Sequence, residues 1–193
     1  MKRAAIGLKT KTGRAIAVVL AGSADNPEFV CREELRLYDE NVSDSIQPYH
    51  QVMEMPWSDW DAALEPKIAA IDNIANSALG TFIEAMRSRK LRIACVVVIG
   101  PDDRKLERIG NPHIRAHAGE GVLYRAVMER AAKKHRIPTR TFADPEDALG
   151  RPSREVKKVL TRLGEAAGPP WRSEEKSAAM AAWIALRSRT SAQ

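Results

Sequence analysis

Residues 4–20 read Ala-Ala-Ile-Gly-Leu-Lys-Thr-Lys-Thr-Gly-Arg-Ala-Ile-Ala-Val-Val-Leu. Ala4–Leu8 and Arg14–Leu20 are apolar, β-prone runs, and the lysines, threonines and glycine of Lys9–Gly13 between them predict a tight hairpin loop. Glu28–Tyr38 continues the pattern as a third strand, with Phe29, Cys31, Leu35 and Leu37 apolar. A phase shift between Cys31 and Leu35 predicts a bulge there. Three successive strands joined by short connections form an antiparallel meander.

Downstream the pattern changes to helix and strand in alternation. A helix starting near Pro66 places Ile68, Ile71, Ala75, Ala78, Leu79, Phe82 and Met86 on one face. Leu91–Ile99 is almost wholly apolar, as a strand covered on both faces must be. Helices follow at about Gly119–His135, Ser153–Leu163 and Ser173–Arg187, with a short strand at Thr139–Ala143. Strands joined through helices pair in parallel by right-handed crossovers. The expected fold class is therefore α/β: a five-stranded mixed sheet, a three-stranded antiparallel meander plus two parallel strands, with helices on both faces. Residues 1–193 read as one domain with an irregular insertion at about 41–65, which holds Pro48, Pro56, Trp57 and Trp60. A connection that long is expected to face a protein partner or to cover the core, and a homodimer is also open.

The chain has 193 residues, 44% apolar, 5% aromatic and 29% charged, enough for a sizeable core. No run of eighteen apolar residues exists, so no membrane partner is expected. Cys31 and Cys95 are the only cysteines, both in apolar runs, which points to reduced thiols and a cytoplasmic location. The net charge of +6 is uneven. Residues 1–20 carry five basic side chains and no acid, 24–65 carry eleven acids against Arg32 and Arg36, and 130–162 carry ten basic residues against four acids. Basic surface of this kind attracts polyanions, nucleic acid first, or is simply a solvated helix face.

The element order resembles the ribonuclease-H-like superfamily, and short stretches resemble its Holliday-junction resolvase branch. Ile6-Gly7-Leu8-Lys9-Thr10-Lys11-Thr12-Gly13 is similar to the first strand and turn, where the family pattern is Gly-hydrophobic-Asp-x-Gly-x-x-Gly. Val156-Lys157-Lys158-Val159-Leu160 resembles the resolvases' basic helix. Ser177–Ala185 resembles their last helix, where the pattern is Asp-Ala-Ala-Asp-Ala-Leu-Ala. The resemblance implies a two-metal nuclease held by carboxylates, because Mg²⁺ and Mn²⁺ take hard, anionic oxygen ligands beside a phosphate.

Those carboxylates are missing from the matching positions. Lys9 stands for the first-strand acid, Ser177 and Met180 for the last-helix pair, and Ile99 or Gly100 for the acid of the fourth strand. A unit charge pair at about 4 Å and effective dielectric of about 20 is worth roughly 4 kcal/mol. Exchanging Asp for Lys beside a divalent ion thus shifts the local energy by roughly 16 kcal/mol before relaxation. An alternative acidic site could be built from Asp102, Asp103, Glu174 and Glu175. The same residues are explained equally by loop solvation and by the preference of acids for a helix N-terminus.

The Lys9–Gly13 turn also resembles the phosphate-binding turn of actin-like ATPases and sugar kinases. Phosphate or nucleic acid is expected at Lys9, Thr10, Lys11, Thr12, Arg14, Arg154, Lys157 and Lys158. Arg115, His117, Glu120 and Arg125 mark a candidate ligand pocket beyond the fourth strand. His113 and His117 have the spacing of metal ligands on a helix face, but Pro112, Gly119 and Gly121 argue against helix there, and no resident metal or cofactor is expected. His50 and His135 read as surface or capping residues. The leading expectation is a non-catalytic protein that binds nucleic acid or a phosphate-bearing ligand. The alternative is a metal-dependent nuclease or resolvase with displaced acidic ligands.

Overall fold

A computed structural model of the chain describes residues 1–41 and 46–187. Strands β1 (Lys2–Lys11), β2 (Arg14–Gly22) and β3 (Pro27–Arg36) form the antiparallel meander. A short helix α1 (Pro48–Val52) and a 3₁₀ turn (Trp57–Asp59) lead into the long helix α2 (Trp60–Ser88). Strand β4 (Leu91–Ile99), helix α3 (Pro112–Lys134) and strand β5 (Thr139–Phe142) follow. Helices α4 (Pro145–Leu149), α5 (Ser153–Ala167) and α6 (Ser173–Arg187) complete the described chain. The sheet order is β3-β2-β1-β4-β5, with β1, β4 and β5 parallel. This is the five-stranded mixed sheet with helices on both faces that the sequence predicts.

Side chains of β1 alternate between the two layers, as strand geometry requires. Ala4, Ile6 and Leu8 pack with α2 and α3, alongside Val96 and Val98 of β4. Ala5 packs in the opposite layer with Val97, Ile99 and the alanines of α6. The same alternation puts Gly7, Lys9 and Lys11 on the α6 side. At Gly7 the helix comes so close that a Cβ would lie 1.9 Å from the Ala178 carbonyl oxygen and 2.3 Å from the Ala182 nitrogen.

Several boundaries differ from the sequence-based expectation. The strand continues through Lys9–Lys11, and the hairpin turn is only Thr12-Gly13, with Gly13 at φ +73°. The bulge of the third strand is at Val30, since Val19 pairs with Cys31 and Leu20 with Phe29. Helix α2 starts at Trp60, not near Pro66, so Pro66 is internal. Burial of Trp60 and Leu64 against Val52 offsets the helix bond lost at the proline, each side chain being worth about 1.5–3 kcal/mol against a proline cost of about 3. Residues 46–65 hold α1, the 3₁₀ turn and the first turns of α2. Helix α3 likewise starts at Pro112, capped by Asn111, whose side chain accepts from the Ile114 amide at 3.0 Å.

Substituting Gly7→Ala is expected to cost about 3 kcal/mol or more, because the methyl group meets main-chain atoms that cannot rotate away. Gly110→Ala, with nothing within 4 Å of the new methyl, is the control and should change stability by less than about 0.5 kcal/mol. Urea denaturation of both variants measures the contrast.

Candidate phosphate-binding site

The C-terminal ends of β1 and β4 meet the first turn of α6, and the meeting point is built from charged side chains. Lys9 is half-buried there, and Ile16 and Ile99 are its strand neighbours. Arg14 leads into β2 opposite Lys11, and its guanidinium reaches the Glu174 carboxylate, with Nη2–Oε2 at 3.0 Å. The Lys11 ammonium lies 3.9 Å from the other Glu174 oxygen, and Arg14 Nη1 is 3.5 Å from Glu34. A small cleft of about 220 Å³ opens beside this cluster, lined by Arg14, Glu34, Arg172 and Glu174.

Burial pushes the Lys9 pKa below its ordinary value, and the Lys11 charge adds to the effect, while Glu174 and Asp144 oppose it. Asp144 follows β5 and caps α4, accepting from the Glu146 amide at 2.7 Å. Its place near Lys9 has no signal in the local sequence. The residues Asp-Pro after a short strand are nevertheless a recognisable helix start.

The predicted phosphate residues divide. Lys11 and Arg14 pair with Glu174, and Lys9 lies near enough to feel its charge, whereas buried Thr10 faces the other layer and gives its hydroxyl to the Ile99 carbonyl at 3.2 Å. Thr12 belongs to the turn. Arg154, Lys157 and Lys158 are exposed on α5, where with Arg162 they line a shallow depression of about 430 Å³. Lys157 also shares a cavity of about 520 Å³ with Lys176 and Glu146, floored by Val156, Leu160 and Trp171.

The four acids of the displaced-ligand alternative are not brought together. Asp103 pairs with Arg125, and Asp102 is exposed in the same loop. Glu174 is held by Arg14 and Lys11. Glu175 is buried and accepts the Arg172 amide at 2.8 Å, which closes the first turn of α6. Among the described residues, no three-donor set close enough to share an ion includes any of them. With a half-buried ammonium amid the nearest acids, this donor set does not fit a pair of hard divalent cations.

The predicted ligand pocket divides as well. Arg115 turns to Trp57 and Trp60, its guanidinium 5.2 and 5.5 Å from their ring centres. Arg125 turns to Asp103 and Glu129. His117 and the fully buried Glu120 both lie against His50 instead.

A lysine whose folded pKa lies below its unfolded value holds fewer protons in the native state across the window between the two. Stability therefore rises with pH in that window, and below it the charged form is a native-state cost. Lys9→Met is expected to be more stable than the natural chain at pH 7. The difference should shrink as pH rises through the folded pKa toward about 10.4, as read by urea midpoints at both ends.

No protein-family model matches the chain, and no curated protein matches it. A solved structure does share its architecture. RuvC of T. thermophilus in complex with Holliday junction substrate superposes with a TM-score of 0.50 at 11% identity, covering 94% of this chain and 91% of that one. A second Thermus thermophilus RuvC structure gives 0.49 at 12% identity, covering 94% and 92%. At such identity the likeness to the junction-bound structure speaks for architecture alone, and with the sheet order and the helix layers on both sides it establishes that this chain has the ribonuclease-H-like fold.

Proposed function

We propose that this chain is a ribonuclease-H-like protein without nuclease chemistry that binds a phosphate-bearing polyanion, nucleic acid first. The observation that supports the reading is the half-buried ammonium of Lys9, flanked by Lys11 and Arg14, at the position that the sequence resemblance would give to the first metal-binding carboxylate. Guanidinium and ammonium groups bind phosphate oxygens directly, and Glu174 occupies the anion position between Arg14 and Lys11 in the unbound chain. An incoming phosphate would displace that carboxylate, so Glu174 acts as an internal competitor. The exposed Arg154, Lys157 and Lys158 of α5 supply a second basic surface for a long polyanion.

Since the superposed RuvC structure holds a Holliday junction substrate, a labelled four-way DNA junction is the first probe, with duplex and single strand as comparators. Anisotropy should show binding at low salt that weakens steeply as salt rises. Lys9→Ala with Lys11→Ala should lower affinity and reduce the salt slope by about 0.9 for each phosphate that is no longer neutralised. Glu174→Gln should tighten binding several-fold, because it frees two cations at once. Incubation with Mg²⁺ or Mn²⁺ should give no cleavage. Absence of low-salt binding, or binding indifferent to the double lysine substitution, overturns the proposal. Metal-dependent cleavage abolished by Glu174→Ala would instead establish the nuclease with displaced ligands.

A further inference from the structure

On the other face of the sheet, His50, His113 and His117 form a cluster that the phosphate-binding reading does not use. His113 and His117 are one turn apart on α3, with their Nε2 atoms 3.1 Å from each other. His50 comes from α1, distant in sequence, and its ring centre lies 4.9 Å from that of His113 and 4.4 Å from that of His117. One ligand atom of each residue lies within 4.8 Å of those of the other two. Two ligands on an imidazole–metal tetrahedron with bonds of about 2.05 Å are roughly 3.3 Å apart, close to the observed pair.

Two features show that the cluster is built. Glu120 is fully buried on α3, and its Oε1 lies 2.7 Å from His50 Nδ1. A carboxylate there can accept a hydrogen bond from Nδ1–H, which keeps that proton on Nδ1 and leaves the Nε2 lone pair free to ligate, the arrangement by which acids orient metal-binding histidines. His50 Nε2 is itself buried and makes no hydrogen bond, and neither does Glu120 Oε2. The second feature is Gly119, where a Cβ would lie 2.5 Å from Tyr49 Cδ1. Only glycine lets α1 seat closely enough on α3 for the His50 ring to join the other two.

We infer that His50, His113 and His117 bind one divalent transition-metal ion of the zinc class, with Glu120 orienting His50. Three imidazoles suit zinc, copper or nickel and not magnesium or calcium, which take oxygen ligands. The exposure of His113 and His117 leaves the fourth coordination position to solvent. A bound dication also joins the 46–52 segment to α3.

The test uses the full chain without an affinity tag, stripped by chelator and titrated with Zn²⁺ in a calorimeter. Uptake of one equivalent is expected, insensitive to excess Mg²⁺, together with a rise in Tm. Co²⁺ should give the visible absorption of a tetrahedral site. His113→Ala with His117→Ala, both exposed, should abolish uptake and the Tm rise while melting like the natural chain in chelator. Glu120→Gln should weaken binding about 10–100-fold without removing a ligand. Absence of saturable uptake, or uptake unchanged in the double histidine variant, overturns the inference. DNA anisotropy in chelator reads the Lys9 site separately, so either reading can fail without the other.

Discussion

The close approach of α6 to the Gly7 backbone sets the geometry of everything on that side of the sheet. Because residue 7 has no Cβ, the helix settles until the Ala178 carbonyl and the Ala182 amide fill the space a side chain would take. The buried alanines Ala178, Ala181, Ala182 and Ala185 keep the helix face flat enough to do so. At the far end, the Trp183 indole donates to the Ala24 carbonyl at 2.6 Å and fixes the helix against sliding. With height and register both set, the first turn of α6 has one place to go, against Lys9, Lys11 and Arg14. The Glu174 ion pairs thus follow from close packing of the core, unlike most exposed pairs, which hold two mobile side chains at little net gain.

That position explains what the charge pattern can and cannot do. In a two-metal site, carboxylates gather dications, and the dications polarise the phosphoryl oxygens and activate water. A chain-borne ammonium such as Lys9 supplies positive charge to hold an oxyanion. It supplies neither a coordination position for water nor a Lewis acid. In the proposed reading, the exchange of acid for lysine keeps the attraction for phosphate and removes the means to cleave. Burial and the like-charged Lys11 penalise the Lys9 ammonium, which is why its pKa lies below the ordinary value.

Much of this is legible in the sequence, and the parts that are not share a cause. Strand order and type come through because Ala4–Leu8, Arg14–Leu20 and Leu91–Ile99 carry apolar runs too dense for loops. The convergence of Lys9, Lys11 and Arg14 follows from two-residue periodicity around a short turn. Tertiary packing decides the rest. Gly119 and Gly121 weaken a helix in isolation by about 1 kcal/mol each, which argues against helix over residues 112–121. In the folded chain Gly119 is where Tyr49 packs, and Gly121 lies beside Pro101, so packing gains more than propensity loses. His50 reads as a surface residue because no local pattern places α1 on α3. Pro66 marks a helix start by its ordinary preference, while buried Trp60 and Leu64 extend the helix ahead of it.

The two candidate sites are separated by the sheet. Helix α3 holds the segment before α2 in three ways: the Tyr124 hydroxyl donates to the Ile46 carbonyl at 2.7 Å, Gly119 receives the Tyr49 ring, and Glu120 holds His50. Burial and the Glu120 charge push the Tyr124 pKa far up, so its hydroxyl stays a donor at any physiological pH. Helix α3 also meets the sheet end, where Arg125 packs so near Gly100 that a Cβ there would lie 2.8 Å from it. A metal at the histidines would therefore act first on the 46–52 segment and the Trp57–Trp60 surface that Arg115 covers. Its route to Lys9 crosses β1 and β4, which pair along most of their length. Local stiffening of the 46–60 segment, with phosphate affinity left alone, is the coupling this arrangement favours.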